Sequence, residues 1–219
     1  GNCQVDTGIV ITEPSTPLST APSSTDVTCF GGNDGTASVT TIGGTNPYTY
    51  IWNDPGGQTT VTAVGLLAGT YSVTITDNTG NCIIDTGMAV VEPAELLLST
   101  TTFEVLCFGD STGTATVTPS GGIAPYTYLW NDFNAQTDSM ATGLIAGIYT
   151  IIVTDSNGCP ATDTAVVIVE PFAPLSVITS GVNVNCKGDK SGSANAGVTG
   201  GVTPYTYSWD DEFFQTNQI

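Results

Sequence analysis

The chain repeats itself at a fixed period, and this periodicity constrains its fold more than any other feature. The motif Cys-x-Gly-x-x-x-Gly begins at Cys29, Cys107 and Cys186, so successive copies lie 78 and 79 residues apart. A second motif, Gly-Gly-x-x-Pro-Tyr-Thr-Tyr-x-Trp, ends with the same spacing at Trp52, Trp130 and Trp209. The sequence therefore predicts a row of similar domains of about 78 residues each.

Glu-Pro pairs mark the predicted borders between these domains. They divide the chain into two complete repeats, 14–92 and 93–170, and two outer pieces. Residues 1–13 are predicted to be the C-terminal strand of a preceding, truncated repeat, and residues 171–219 the N-terminal part of another truncated repeat. Both outer pieces lack the Leu-x-Ala-Gly-x-Tyr segment of the complete repeats, so we expect the 219 residues to be cut from a longer tandem array.

Local patterns predict an all-β fold of tandem immunoglobulin-like β-sandwich domains. Short alternating runs of Thr, Val, Ile and Tyr are separated by Gly, Asn and Asp, with no helical period. The strands predicted for the second repeat are 95–106, 113–120, 126–130, 137–142, 148–155 and 162–169. The two Tyr residues of Tyr-Thr-Tyr-x-Trp share one strand face, and the Trp is predicted to pack in the core or at an edge rather than to serve as a platform for sugars.

Charge excludes several classes of function. The chain has 2 Lys+Arg, 20 Asp+Glu and no His, giving a net charge of −18. Such a surface repels nucleic acid and anionic lipid, so neither is expected as a partner. No apolar run is long enough to cross a membrane, so membrane insertion of this segment is not expected either. Without His, the Ser-His-Asp and Cys-His mechanisms and the usual His-containing catalytic zinc sites are not available, and we predict that the protein is not an enzyme.

Six cysteines form two classes. Cys29, Cys107 and Cys186 begin a Gly-rich turn, whereas Cys3, Cys82 and Cys159 follow a Gly-containing turn. One scheme pairs Cys29 with Cys82 and Cys107 with Cys159, leaving Cys3 and Cys186 to partners outside these residues. The competing scheme pairs Cys3 with Cys29, Cys82 with Cys107 and Cys159 with Cys186, across the repeat borders. The competing scheme has the advantage that it pairs all six cysteines, but an even number of cysteines carries no information when the chain is truncated. We therefore favour the first scheme. Paired cysteines would place the chain in an oxidising, extracytoplasmic compartment.

Acidic residues recur at the predicted turns and offer candidate oxygen ligands for calcium. Asp34, Asp110 and Asp189 occupy the Gly-rich turn of each repeat. Hard cations take oxygen ligands from such loops, but Asp also favours turns for conformational reasons alone, and we prefer that second interpretation. No other cofactor is expected.

Taken together, the two motifs above, the segment Leu-x-Ala-Gly-x-Tyr-x-x-x-x-Thr-Asp and the Gly-Cys turn resemble the SprB-type repeats of Bacteroidota cell-surface proteins. The resemblance implies a long, secreted filament exported by the type IX secretion system, as in the adhesins of gliding motility. Exported proteins of that phylum are often O-glycosylated at Asp-Ser/Thr followed by a small apolar residue or Thr. The related positions in this chain are Ser111, Ser139 and Thr164.

The function expected from the sequence is structural: a segment of an extracellular, cell-surface filament or adhesin stalk built from tandem disulfide-stapled repeats. Its partners would be neighbouring repeats of the same chain, laterally associated copies, and surface glycans or other surfaces. The alternative is a glycan- or protein-binding β-sandwich module of a secreted protein, with exposed aromatic residues and acidic loops as the recognition surface.

Overall fold

A computed structural model describes residues 16–80 and 82–210, together with Cys3, Gly8, Ile9 and Glu13. The described residues form β-strands and no helix, which confirms the predicted all-β class. The strand predicted within residues 1–13 and the last nine residues, 211–219, lie outside the described part. Among the described residues, no helix has the length and apolarity that crossing a membrane requires.

Each complete repeat contains six strands. The first repeat has β1 (Ser19–Thr25), β2 (Gly35–Ile42), β3 (Thr49–Trp52), β4 (Thr62–Leu66), β5 (Gly69–Thr76) and β6 (Ile83–Val90). The second has β7 (Leu97–Phe103), β8 (Gly113–Ser120), β9 (Thr127–Trp130), β10 (Met140–Leu144), β11 (Gly147–Thr154) and β12 (Pro160–Ile168). The third has β13 (Ser176–Val182) paired with β14 (Ser193–Thr199). All six strands predicted for the second repeat are present, with ends shifted by three residues at most.

Strand order identifies the sandwich as immunoglobulin-like. In the first repeat, β1-β2-β4 form one antiparallel sheet and β3-β5-β6 the other. This arrangement corresponds to strands A-B-E and C-F-G of an immunoglobulin domain. The second repeat has the same two sheets, β7-β8-β10 and β9-β11-β12. The predicted immunoglobulin-like fold is therefore confirmed.

Both sheets of a repeat contribute to its core. In the first repeat, Ala37 and Val39 of β2 pack with Trp52 of β3 and with Val73 and Ile75 of β5. These positions alternate with exposed or half-buried ones along each strand, because neighbouring side chains of a strand point to opposite faces. The second repeat has its own core, with the equivalent residues Ala115, Val117, Trp130, Ile151 and Val153.

Two features of the core belong to the immunoglobulin fold in particular. Trp52 and Trp130, on the strands that correspond to C, are 2% and 1% exposed, so the prediction of a core Trp is confirmed for both complete repeats. Tyr71 donates a hydrogen bond from its hydroxyl to the carbonyl of Leu67, 3.1 Å away, and Tyr149 does the same to Ile145 at 3.0 Å. This tyrosine corner anchors the loop that joins the two sheets.

By its internal contacts the chain divides into two compact units, Gly1–Glu95 and Leu96–Ile219. The first unit holds the first repeat, and the second unit holds the second repeat with the described part of the third.

Candidate functional site

Each sandwich has two ends, and the recurrent turns and the Glu-Pro pairs lie at these ends, whereas the Thr-Tyr-x-Trp segments form β3 and β9. We call the end at which the chain begins its first strand the proximal end, and the end at which it leaves the last strand the distal end. The Gly-Gly turn and the Gly-Cys turn lie at the proximal end. The Cys-x-Gly turn and the Glu-Pro pair lie at the distal end.

At the distal end of the first repeat, the Cys-x-Gly turn is bonded to the residues that follow β6. The backbone N–H of Val27 donates to the carbonyl of Val91 at 2.9 Å, and the N–H of Gly31 donates to the Glu92 carboxylate at 2.6 Å. Gly31 has φ of +69°, a conformation that glycine adopts without strain. Glu92 is the Glu of the Glu-Pro pair, so this pair anchors the turn as well as ending the repeat.

The second repeat repeats this geometry. The Val105 N–H donates to the Val169 carbonyl at 2.9 Å, and the Gly109 N–H donates to Glu170 at 2.6 Å. The sequence pattern indicates Glu-Pro only as a border and does not reveal this contact. The signal that could have revealed it is the constant distance between each Glu and the Gly of its turn, which is 61 residues in both repeats.

At the proximal end of the first repeat, the carboxylate of Asp77 holds two turns together. It accepts hydrogen bonds from the Thr79 hydroxyl at 2.6 Å, from the Thr45 N–H at 3.2 Å and from the Cys82 N–H at 3.4 Å. These bonds, that of the Thr79 side chain first, lower the pKa of Asp77 from its usual value against the opposing effect of burial. The ionised carboxylate thus fixes the Gly-Cys turn against the Gly-Gly turn.

Asp155 does the same in the second repeat. Its carboxylate accepts from the N–H groups of Cys159, Ile123 and Asn157, each at 2.9 Å. Burial would raise the pKa of Asp155, but these hydrogen bonds outweigh it and lower the pKa. In the sequence, Asp155 belongs to a recurrent Thr-Asp pair, and the pattern alone indicates no role for it.

The Asn-Asp pairs that follow Trp52 and Trp130 also make hydrogen bonds within their own repeats. Asp54 accepts from the N–H of Gln58 at 2.8 Å and of Gly56 at 2.9 Å, and Asp132 accepts from Gln136 and Asn134. The amide oxygens of the preceding Asn residues accept from the facing strand, as Asn131 does from the Thr150 N–H at 2.7 Å. These acidic loops therefore act as turn anchors.

The structure contains neither of the favoured disulfide pairs, 29–82 and 107–159. Cys82, from the first pair, and Cys107, from the second, are free thiols. The physical reason is that each proposed pair joins opposite ends of one sandwich, Cys29 and Cys107 being distal and Cys82 and Cys159 proximal. The competing scheme is not present either, because Cys3 and Cys186 are free as well.

The three candidate calcium ligands lie in the Gly-rich turn of successive repeats, where they bond to their own turns. Asp34 accepts from the Thr28 N–H at 3.0 Å, Asp110 from the Ser111 N–H at 2.8 Å, and Asp189 from the Lys190 N–H at 2.7 Å. Within the described ranges, no group of three or more Cys, Asp or Glu side chains has the geometry of a metal site. Calcium binding stays a prediction.

All three candidate glycosylation positions, Ser111, Ser139 and Thr164, are exposed. Asp163, the acidic residue before Thr164, accepts a hydrogen bond from the Thr100 hydroxyl at 3.0 Å, so this site lies where strands β7 and β12 meet. Glycosylation at these positions stays a prediction.

The aromatic residues proposed as a recognition surface are used inside the sandwich. The indole N–H of Trp52 donates to the Thr60 carbonyl at 2.8 Å, and that of Trp130 to the Asp138 carbonyl at 3.0 Å. The hydroxyls of Tyr48 and Tyr126 donate to the carbonyls of Gly43 and Gly121. Neither Trp of the complete repeats presents a face on which a sugar could stack.

An open groove of about 630 Å³ lies in the second unit. It is lined on one side by Leu106, Cys107 and Phe108, at the distal end of the second repeat. On the other side it is lined by the third repeat, including Gly201, Val202, Tyr205 and Trp209. Gly201 and Val202 belong to the Gly-Gly turn, so the distal end of one repeat borders the proximal end of the next.

Comparison with known proteins gives one family. Residues 21–57, 99–135 and 178–212 each match the family described as the SprB repeat. Each matched segment begins within the first strand of a repeat and extends past the recurrent Trp. No curated protein matches the chain.

Among solved structures, the three N-terminal domains of the Highly Immunogenic Outer Capsid protein of bacteriophage RB49 are similar, with a TM-score of 0.46 and 16% identity over 86% of this chain and 70% of that one. The BSP domain of a biofilm associated protein has a TM-score of 0.23 and 17% identity, over 70% and 30% of the two chains. A tetra-tandem repeat from the extending region of a large adhesion protein has a TM-score of 0.23 and 12% identity, over 85% of this chain and 63% of that one.

Proposed function

This chain carries three SprB-type repeats in tandem, and we propose that it is a segment of a long cell-surface filament whose repeats extend an adhesin away from the cell. The observation that carries the proposal is that the same β-sandwich recurs along the chain. In each complete repeat, the recurrent motif residues pack in the core or form hydrogen bonds within the turns at the two ends. Arrays of such domains gain length by adding copies, and each copy contacts its neighbours in the chain.

Charge and composition support an exposed location. The only cationic side chains are Lys187 and Lys190, so the first two repeats offer no cleavage site to proteases that cut after Lys or Arg. A net charge of −18 opposes non-specific aggregation of neighbouring filaments by repulsion, so lateral association of copies requires specific contacts between them. Both properties suit a protein that stands in the extracellular medium, and no catalytic role forms part of the proposal.

The finer features belong to the proposal too. We place the filament on a bacterium of the Bacteroidota, with export by type IX secretion and use in surface adhesion and gliding. Lateral association of copies, contact with surface glycans, calcium at the Asp34-type turns and O-glycosylation at the Ser111-type positions are further parts of it.

The test is immunogold electron microscopy of intact cells that produce the native protein, using Fab fragments raised against residues 93–170. We expect labels in rows along thin extracellular fibres, and fewer attached cells when the Fab is added before contact with a surface. Fab that has been adsorbed with the purified repeat is the control. Labelling that requires permeabilised cells, or that marks compact particles, would reject the filament.

The glycan-binding alternative is weaker, because Trp52 and Trp130 are buried and their indole N–H groups are already bonded. A glycan array probed with the 219-residue chain separates the two functions. A stalk segment that only touches surface glycans gives weak, unsaturable signals spread over many sugars, whereas saturable binding to one sugar class would favour the binding module.

A further inference from the structure

We propose that copies of this chain associate laterally through one sheet face of the second repeat, which pairs with the same face of a second copy. We call this surface the outer face of the second repeat; it consists of the side chains of β9, β11 and β12 that point away from the core. The inference rests on the proposed function, because it names the surface by which copies of the filament associate.

The outer face of the second repeat is apolar. Side chains of β11 alternate between the core and the outside, so that Ile148 and Ile152 point outward. The neighbouring strands continue this surface, since Leu129 of β9 lies opposite Ile152 and Val167 of β12 lies opposite Ile148. All four side chains are open to solvent, with exposed fractions of 48% for Leu129, 70% for Ile148, 37% for Ile152 and 47% for Val167.

The same face of the first repeat is more polar and carries a charge. Ile51 is retained at the position of Leu129, but Thr74 occupies the position of Ile152. The hydroxyl of Thr74 donates a hydrogen bond to the carboxylate of Asp85 on the neighbouring strand, 2.6 Å away. The fold therefore does not require an apolar residue at the centre of this face, and the second repeat has gained one there.

Charge restricts which surfaces of two copies can meet. Each copy has a net charge of −18, so a contact between faces that bear carboxylates brings like charges together. Strands β9 and β11 contain no charged residue. The acidic residue of β12, Asp163, lies on the other side of its strand, where it accepts a hydrogen bond from Thr100 of β7. The outer face of the second repeat thus presents no ionised group to a second copy.

The chemistry of this face matches a second copy of itself. It offers branched aliphatic side chains and Thr hydroxyls, and it has no charge with which to select a charged ligand. Sheets pack face to face at a spacing of about 10 Å, and a two-fold pair uses the same patch on both partners. An anionic membrane is a poorer partner, because the net charge of the chain repels its headgroups.

The area of the face sets the strength of the contact. Three strands spaced about 4.8 Å apart and about 20 Å long present roughly 300 Å². A stable interface buries about 800 Å² on each partner, so one pair of these faces forms a weak, reversible dimer. Filaments that lie side by side would gain strength by multiplying such contacts, because each contact after the first is effectively intramolecular.

The test is sedimentation equilibrium of the 219-residue chain from micromolar to millimolar concentration. The protein is produced without O-glycans, because the exposed Thr164 lies on β12, and it is kept reduced so that its free thiols do not cross-link copies. We expect a monomer–dimer equilibrium whose association constant rises with added salt, since salt screens the repulsion and leaves the apolar contact. A chain that stays monomeric throughout, or an association that salt weakens, would overturn the proposal.

Two variants at equivalent positions locate the contact. Leu129→Asp places two carboxylates in the paired faces and should lower the association constant by more than about tenfold. Ile51→Asp adds the same charge to the outer face of the first repeat, where Ile51 is 61% exposed, and should change the constant by less than about twofold. Folding of both variants is checked by the emission of the buried Trp52 and Trp130. Equal losses in the two variants, or no loss in either, would contradict the assignment of this face.

Flotation with phosphatidylcholine vesicles tests the other apolar partner. Vesicle binding by a chain that stays monomeric, abolished by Leu129→Asp, would assign the face to lipid and reject the pairing of copies. The electron microscopy of intact cells gives a separate answer. A dimer in solution without labelled fibres on cells would reject the filament and leave the contact standing, whereas labelled fibres formed by a chain that does not dimerise would do the reverse.

Discussion

At the scale of single residues, the acidic composition has a structural use. Four buried carboxylates, Asp54, Asp77, Asp132 and Asp155, accept backbone N–H groups in turns that would otherwise leave these donors unpaired. An ionised carboxylate accepts strong hydrogen bonds and needs no donor of its own. The sequence showed that Asp and Asn gather at turns, but it could not show which of them are buried, since exposed and buried Asp occupy similar Gly-containing segments.

The first prediction concerns the pH dependence of stability. The pKa of each of these four Asp residues is lowered in the folded protein. An Asp whose pKa is lowered on folding stabilises the fold at pH values above its ordinary pKa of 3.8. This stabilisation is lost as the pH falls below 3.8 towards the pKa of the folded state. We therefore expect the thermal midpoint to be flat from pH 7 to about 5 and to fall below pH 4.

Asp155→Asn is the variant that tests this assignment. One carboxylate oxygen becomes an NH₂ group that faces a backbone donor, so the midpoint at pH 7 should fall by about 5 °C and its further loss on acidification should shrink. The control is Asp138→Asn, since Asp138 is exposed. An Asp155 variant that keeps the midpoint and the acid sensitivity of the wild type would contradict this role.

At the scale of elements, the alternation of residues was enough to predict the strands, because each strand has one buried and one exposed face. β8, for example, was predicted with its observed bounds, Gly113–Ser120. The cysteine pairing could not be predicted in the same way. Cys29 and Cys82 recur at constant spacing, but spacing along the chain does not say that a whole strand length separates them in space. The partners of Glu92 and Glu170 were missed for a related reason, since their contacts join residues 61 positions apart.

The second prediction concerns the Gly-Gly turn at the proximal end. Gly43 has φ of +77°, and a Cβ there would collide with the backbone carbonyl of Pro17, which cannot move as a flexible side chain would. Gly57 also has positive φ, +57°, but a Cβ there would meet no atom within 4 Å. We expect Gly57→Ala to lower the free energy of unfolding by about 1–2 kcal/mol, the cost of left-handed backbone alone, and Gly43→Ala to lower it by clearly more.

Chemical denaturation of the two Gly variants in parallel measures this difference. The slope of the unfolding transition serves as the internal check, because an unchanged slope shows that the folded state is as compact as before. Equal losses for Gly43→Ala and Gly57→Ala would mean that the turn relaxes away from Pro17 at no cost, and the close approach would then have no structural importance.

At the scale of the whole molecule, each complete repeat has a core of its own. The buried cluster of the first repeat runs from Val27 to Val90 and that of the second from Val105 to Ile168, and the two clusters share no residue. Stability in such an array is a sum of separate domain terms and terms between neighbours. The cooperative unit of folding is therefore expected to be the single repeat.

The last prediction tests this independence with two matched variants. Trp130→Ala removes the largest side chain from the second core and should cost about 3–5 kcal/mol there, because it leaves a cavity among Ile151, Val153 and their neighbours. Trp52→Ala should do the same to the first core. By differential scanning calorimetry we expect each variant to show a new transition at lower temperature, with the transition of the other repeat in place. A single transition that moves as a whole in both variants would show that the repeats unfold together, and the description of the filament as a row of independently folded sandwiches would be wrong.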